Sequence, residues 1–176
     1  LKNTPSYVGR YLDSVFDIIL NFLFLMTICY VSKTTIWFSL LAFIGIQLQG
    51  TLYNYYYVIL RNKSVGGDTT SKVFEYKSPK ALPGETQKSV DILFGIYTIV
   101  YGVFDKIIHF LDKEAYKVKT FPNWFMTFLS LYGLGFQLLI IAIMLPLGFI
   151  ENIVPFFIFY TIFTFVLILV RRKIII

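Results

Sequence analysis

Charged residues are scarce in this sequence. They make up 15% of its 176 residues, whereas an ordinary soluble domain carries about 25%. Hydrophobic residues make up 57% of the chain, and the mean hydropathy is +0.70. So few charges cannot give a chain of this length a polar surface in water, so we expect an integral membrane protein.

Cysteine and histidine each occur once, as Cys29 and His109. A single cysteine excludes an internal disulfide and a Cys-rich metal site. His109 lies one helical turn from Asp105, and we interpret it as a residue at the membrane surface, with a proton relay as the alternative. The first apolar stretch contains two aspartates and is too long for a signal peptide. The net charge of +6 indicates loops that face anionic lipid rather than nucleic acid.

Apolar runs of about 20 residues, the length that crosses a bilayer, recur five times. They are too long for the strands of a membrane barrel and lack the alternation of such strands. The sequence therefore predicts an all-α, polytopic transmembrane bundle that forms one domain over residues 1–176. The predicted helices run from about Ser6 to Val31, Ile36 to Leu60, Val90 to Leu111, Trp124 to Ile150 and Ile153 to Val170.

One long polar segment, from about Arg61 to Ser89, separates the second helix from the third. Because cytoplasmic loops are rich in Lys and Arg, we expect this loop, and hence the start of the first helix, to be cytoplasmic. Strict alternation would leave two later basic clusters, 113–119 and 171–173, outside. A third helix that lies along the interface, interrupted by Asp105 and Lys106, would return both clusters to the cytoplasm. The six basic residues of the loop are Arg61, Lys63, Lys72, Lys77, Lys80 and Lys88.

Four residues spaced by four in the first helix, which we call the Asp stripe, are Gly9, Asp13, Asp17 and Asn21. They share one helix face, about 6 Å apart along the axis. An ionised side chain in hydrocarbon costs at least ~2.5 kcal/mol, so the two acids need a partner. Stabilisation of the helix dipole is a poorer explanation, because Asp17 lies too deep in the helix.

A divalent cation is the natural partner of the Asp stripe. Mg²⁺ prefers oxygen ligands and commonly combines one or two carboxylates with the phosphates of a substrate. Gly9 leaves room for a ligand on the same face. The stripe therefore predicts a metal-dependent site for a phosphate-bearing substrate at the cytoplasmic face of the membrane.

The segment from Ser6 to Asp17, SYVGRYLDSVFD, resembles the second half of the CDP-alcohol phosphotransferase signature, D-x-x-D-G-x-x-A-R-x8-G-x3-D-x3-D. The G-x3-D-x3-D spacing matches in full, as does the Leu-Asp-Ser at 12–14 that bacterial members often show. Residues 1–8 have the length of the x8 spacer of the signature, so the Arg that precedes this spacer would fall immediately before Leu1. The first half, with two of the four aspartates, is absent. We expect the natural protein to continue upstream with further helices, and the chain as given not to bind metal or turn over by itself.

The resemblance implies transfer of a phosphatidyl or phospho-alcohol group from a CDP-activated donor to an alcohol, with release of CMP, in phospholipid synthesis. It implies divalent ions, Mg²⁺ or Mn²⁺. By the same resemblance Asp13 is a metal ligand, Asp17 is the general base and a further ligand, and Gly9 abuts the nucleotide. The expected donor is CDP-diacylglycerol, and a CDP-aminoalcohol with diacylglycerol as acceptor is the alternative. Ile18 stands where members with phosphorylated acceptors often carry Lys or Arg, which favours a neutral or zwitterionic acceptor.

A non-enzymatic membrane protein, either a transporter or an assembly subunit with a cation-binding Asp pair, is the competing interpretation. Transporters often show inverted repeats and broken helices, and neither half of this sequence repeats the other. The sequence leaves the oligomeric state open, and a homodimer is one alternative. Candidates for a basic acceptor pocket are Arg10, Arg61, Lys63 and Lys106. We expect hydrogen bonds between helices from Asn21, Gln47, Gln49 and Asn54, and an interfacial belt from Tyr53, Tyr55, Tyr56 and Tyr57.

Overall fold

The computed structural model describes residues 5–63, 70–72 and 75–174, and this part of the chain is helical without strands. A short 3₁₀ helix, Ala115–Lys117, follows the fourth of its α-helices. The α-helices are α1 (Tyr7–Ser32), α2 (Ile36–Lys63), α3 (Gln87–Val100), α4 (Gly102–Leu111), α5 (Asn123–Ser130), α6 (Leu134–Met144) and α7 (Ile150–Ile174).

Three of these helices, α1, α2 and α7, are long and apolar enough to cross a membrane. Two further pairs qualify only as bent spans. The helix axis bends by 53° between α3 and α4 and by 49° between α5 and α6. The described residues therefore hold three spans, or up to five if each bent pair is counted as one. This confirms the all-α membrane fold. The third and fourth predicted helices are each two helices joined at a bend.

The ends of α1 follow from local hydrogen bonding. Ser6 caps the start of the helix, because its Oγ accepts a hydrogen bond of 2.8 Å from the Gly9 N–H. The end is closed by Lys33 in the left-handed conformation at φ 54°, with the N–H groups of Lys33 and Thr34 both donating to the Cys29 carbonyl. A left-handed residue commonly ends a helix in this way. The polar link predicted at 32–35 is therefore a tight turn between α1 and α2.

Helix α2 lies at the centre of the bundle and packs against α1, α4, α5 and α7. Its first half joins α1, α6 and α7 in one apolar cluster, which includes Leu25, Ile46 and Phe157. A Cβ atom on Gly45 would lie 2.1 Å from the Thr161 Oγ1. Glycine at this position therefore lets α2 and α7 approach closely, as small residues do in membrane bundles.

The later basic clusters lie at the same end of the bundle as the end of α2. The Lys63 Nζ donates to the carbonyl oxygens of Tyr116 and Val118. Arg171, near the end of α7, forms an ion pair with Asp112, just after α4. The clusters at 113–119 and 171–173 thus meet the loop that begins at residue 61, although residues 64–69 and 73–74 of that loop lie outside the described residues.

The α3–α4 pair begins and ends at this same end of the bundle. Its entry is held at the start of α1, where the Glu85 carboxylate accepts hydrogen bonds from the Ser6 hydroxyl at 2.6 Å and from the Val8 N–H at 2.9 Å. Its exit is held by Asp112. Because α1 and α2 are antiparallel, the start of α1 and the end of α2 share one end. Both ends of the pair therefore lie at one end of the bundle, together with the basic segments.

Which side of the membrane this end faces is a testable prediction. In a Cys29→Ser background we expect Tyr76→Cys, at a side chain that is 82% exposed, to escape a membrane-impermeant thiol reagent in intact cells and to react after permeabilisation. Thr35→Cys, an exposed position in the turn at the opposite end, is the matched control and should react in intact cells. Labelling of Tyr76→Cys from outside would invert the orientation.

Candidate functional site

A cavity of about 340 Å³, which we call the main cavity, lies between α1, α2, the α3–α4 bend and the start of α6. Three members of the Asp stripe line it: Asp13, Asp17 and Asn21. Asp13 is exposed, Asp17 is half-buried and Asn21 is buried. Because these residues are one helical turn apart, polar groups extend along the cavity from the exposed Asp13 to the buried Asn21. The structure brings together the acids that the sequence singled out.

Helix α2 supplies the opposite wall of the main cavity, including Gln47, Gly50 and Asn54. Gln47 is only 5% exposed, and its Nε2 has no hydrogen-bond partner among the described residues. A buried donor without a partner is costly, so a ligand oxygen in this cavity would stabilise it. The predicted hydrogen bond between helices is confirmed for Gln49, which donates to the Thr161 Oγ1 at 3.0 Å and lies outside the cavity lining.

Three cationic side chains from separate segments line the same cavity: Arg10, Arg61 and Lys72. The Arg10 guanidinium is positioned by an ion pair of 2.5 Å with Glu75 and by the face of the Tyr11 ring, 4.4 Å from its centroid. A hydrogen bond from a cationic side chain to a phosphate oxygen is stronger than one between neutral groups. The cavity can therefore hold both a cation, at the acids, and a phosphate, at these side chains.

The other two basic candidates do not line the main cavity. Lys63 is bound to backbone carbonyls, as described above, and Lys106 lines a smaller neighbouring cavity together with Asp105 and His109. Lys72 was missed in the sequence, where it is one lysine among several in a polar loop.

The predicted tyrosine belt divides between two faces of α2. Tyr53 and Tyr57, one turn apart, line the main cavity. Tyr55 and Tyr56 are buried in the core near Asp112. Tyr97 and Tyr101 from the α3–α4 bend also line the cavity, and no local pattern marked them, because the bend brings them there.

Gly9 is exposed and is not among the residues that line the main cavity. A Cβ atom at this position would lie 3.1 Å from the Ser6 Oγ. The structure thus gives Gly9 a local reason, since it leaves space for the cap of α1. Its expected place beside a nucleotide stays a prediction.

The start of α1 is held in place by Glu85, in the loop before α3. Partial burial raises the pKa of this carboxyl, but hydrogen bonds from the Ser6 hydroxyl and from the Val8 N–H outweigh that effect. The pKa of Glu85 therefore lies below its ordinary value, and the side chain is a carboxylate at neutral pH. It anchors the helix that carries the Asp stripe.

The residues of the stripe fit one divalent cation. Asp13 and Asp17 provide two carboxylates one turn apart, and like charges at this spacing repel each other, so a cation between them relieves the repulsion. Within the described ranges, no three Asp, Glu, His or Cys residues are grouped to hold a metal ion. A Mg²⁺ ion here would complete its shell with water and phosphate oxygens, which is its usual habit in proteins.

No protein-family model, no curated protein and no solved structure matches this chain.

Proposed function

We propose that this membrane protein transfers a phosphatidyl group from a CDP-activated donor, CDP-diacylglycerol, to an alcohol, with release of CMP at the cytoplasmic face. One observation carries the proposal. The two acids of the G-x3-D-x3-D segment line a cavity that also receives Arg10, Arg61 and Lys72. A pyrophosphate-bearing substrate requires carboxylates that hold a metal cation and, next to them, basic side chains that bind its phosphates.

The location of the cavity suits an amphiphilic donor. The acids lie two to three turns into a membrane helix whose other faces expose large apolar side chains, among them Phe16, Ile19 and Leu23. A CDP-linked lipid can keep its acyl chains against such a surface while its pyrophosphate enters the polar cavity. A fully water-soluble substrate would not need a site at this boundary.

The residues have distinct roles in this proposal. Asp13 and Asp17 would hold a divalent ion, which when bound neutralises the pyrophosphate and the leaving CMP. Arg10, Arg61 and Lys72 bind phosphate oxygens. Asp17 takes the proton of the acceptor hydroxyl, whose oxygen forms a bond to the phosphatidyl phosphorus. The bond from that phosphorus to the bridging oxygen breaks, and CMP leaves with the oxygen.

The bent helix pairs are the observation that favours the competing transporter, since broken helices often form transporter binding sites. The two breaks do not occupy equivalent positions in two inverted halves, however. The α3–α4 pair starts and ends at one end of the bundle, whereas α5–α6 leads from the residue 121 region, beside Tyr56, to the apolar cluster that contains Ile141 at the other end. In an inverted repeat the two pairs would follow equivalent paths from opposite sides of the membrane.

The proposal is tested by assaying the complete gene product in membranes. We expect Mg²⁺-dependent release of CMP from CDP-diacylglycerol when an alcohol acceptor is present. Asp91→Asn, an exposed acid outside the main cavity, is the control and should retain this activity. Cation uptake into vesicles, without CMP release from CDP-diacylglycerol or from CDP-aminoalcohols, would instead establish the transporter.

A further inference from the structure

A second cavity of about 110 Å³, which we call the side cavity, lies beside the main one. Tyr97 and Lys72 line both cavities, so the two spaces share a wall. The remaining charged lining comes from Glu75 in the loop and from Asp105 and Lys106 on α4. Two carboxylates and two ammonium groups thus surround one small space next to the proposed reaction site.

Glu75 presents an unused acceptor in this region. Its side chain is 9% exposed. The Oε2 atom accepts a hydrogen bond of 2.9 Å from the Tyr11 hydroxyl and forms the ion pair with Arg10. The Oε1 atom has no hydrogen-bond partner in the described part of the chain. A buried carboxylate oxygen in this state is costly, and a ligand that donates hydrogen bonds would satisfy it.

Asp105 provides the second carboxylate. Its Oδ2 accepts a hydrogen bond of 3.0 Å from the hydroxyl of Tyr97, the residue in the shared wall. Gly102, one turn earlier on α4, also lines the side cavity and is buried, so backbone forms the cavity wall at this position. An ammonium group of a ligand could therefore approach Asp105 from within the cavity.

We propose that the side cavity binds the acceptor alcohol as a small zwitterion, a hydroxy amino acid of about the size of serine. Its ammonium group pairs with Glu75 and Asp105. Its carboxylate pairs with Lys106 and with Lys72, which lines both cavities and whose three N–H donors also reach a phosphate in the main cavity. Its hydroxyl points past Tyr97 toward Asp17. The fate of that hydroxyl rests on the proposed function, but the binding of the zwitterion does not.

Size and charge together select this class of ligand. Cavities for drug-sized molecules measure about 300–1,000 Å³, and the side cavity is well below that range, which excludes a lipid. A phosphorylated alcohol would bring a dianion toward two carboxylates, and a neutral polyol would bring no charge to either the carboxylates or the ammonium groups of the lining. A zwitterion pairs both.

The binding experiment uses radiolabelled L-serine with the detergent-purified complete gene product, with Mg²⁺ and CDP present or omitted. We expect unlabelled serine to compete, and glycerol and glycerol 3-phosphate not to compete. Asp105→Asn should weaken serine binding by about 10-fold or more, the effect of losing a charged hydrogen-bond partner. Asp91→Asn, the same change outside both cavities, should leave it unaltered. Absence of serine binding, or equal binding by the wild type and Asp105→Asn, would overturn the proposal.

A second variant keeps the test decisive if Asp105→Asn does not fold. Lys106 is exposed, so Lys106→Met removes its charge without burying a polar group. It should weaken binding of serine but not binding of ethanolamine, which has no carboxylate, because Lys106 recognises that group only. Equal effects on both ligands, or none on serine, would contradict the assignment.

The two proposals can fail separately. If serine binds in an Asp105-dependent way and no donor yields CMP, the zwitterion site stands and the transferase function is wrong. If CMP is released with glycerol but serine neither binds nor reacts, the transferase stands and the zwitterion site is wrong.

Discussion

Replacing Asp112 by asparagine is expected to lower the free energy of unfolding by about 3–5 kcal/mol, the cost of leaving one member of a buried ion pair alone. Asp112 is completely buried, and the side chain of Arg171 is 5% exposed. The Arg171 Nε donates to the Asp112 Oδ2 at 2.6 Å, and the Tyr56 hydroxyl donates to the same oxygen. The asparagine side chain has no charge to offset that of the guanidinium.

Unfolding of the purified protein in detergent, followed by fluorescence, measures this effect. Glu114→Gln is the matched control, because Glu114 is 62% exposed in a pair with Lys117 and surface pairs contribute little. The double change Asp112→Asn with Arg171→Met should be less destabilising than Asp112→Asn alone, since it also removes the unpaired charge. Equal unfolding free energies for Asp112→Asn and Glu114→Gln would refute the role of this ion pair.

The ion pair bears on the proposed function because it fastens α7 to α4 and α2, the two of these helices that line the cavities. It joins the end of α7 to the exit of α4, and Tyr56 ties both to α2. Helix α4 carries Asp105 and Lys106, while α2 carries the amide wall of the main cavity. Loss of Asp112 should therefore loosen the proposed acceptor site before it disturbs α1, whose start is held separately by Glu85.

The membrane fold and the Asp stripe could be predicted because both depend on local patterns. Composition and run length predict spans, and a period of four places Asp13, Asp17 and Asn21 on one face. The Ser6 cap is also a local signal. The faces of α2 could not be predicted from such patterns, because four tyrosines within five residues occupy more than one face of a helix. Only packing decides which of them face the cavity.

The rest of the site could not be predicted, because it is created by contacts between distant residues. Asp112 and Arg171 are 59 residues apart in sequence, and Arg10 and Glu75 are 65 apart. The bends of the third and fourth predicted spans are not marked by proline. Gly102 and Gly133 lie beside the two breaks, but glycine is common in membrane helices. Tyr97 and Lys72 reach the cavities only because of the α3–α4 bend and the loop, respectively.

Replacing Asp17 by asparagine is expected to lower CMP release by roughly 10²-fold or more, the typical contribution of a general base. Asparagine has nearly the same shape but cannot take the proton of the acceptor. Affinity for the CDP-linked donor should survive, because Arg10, Arg61 and Lys72 still bind its phosphates. Turnover at saturating Mg²⁺ and donor, together with donor affinity, should be measured in the complete gene product.

The comparison with Asp13→Asn gives this prediction its specificity. Asp13 is a ligand but not the base in the proposed mechanism, so its loss should raise the Mg²⁺ concentration needed for half-maximal activity and weaken the donor together with the metal. Saturating Mg²⁺ should then restore much of the turnover of Asp13→Asn and little of that of Asp17→Asn. If both variants recover alike, Asp17 acts only as a ligand. If Asp17→Asn keeps near wild-type turnover at saturation, the transferase proposal loses the acid on which its chemistry depends.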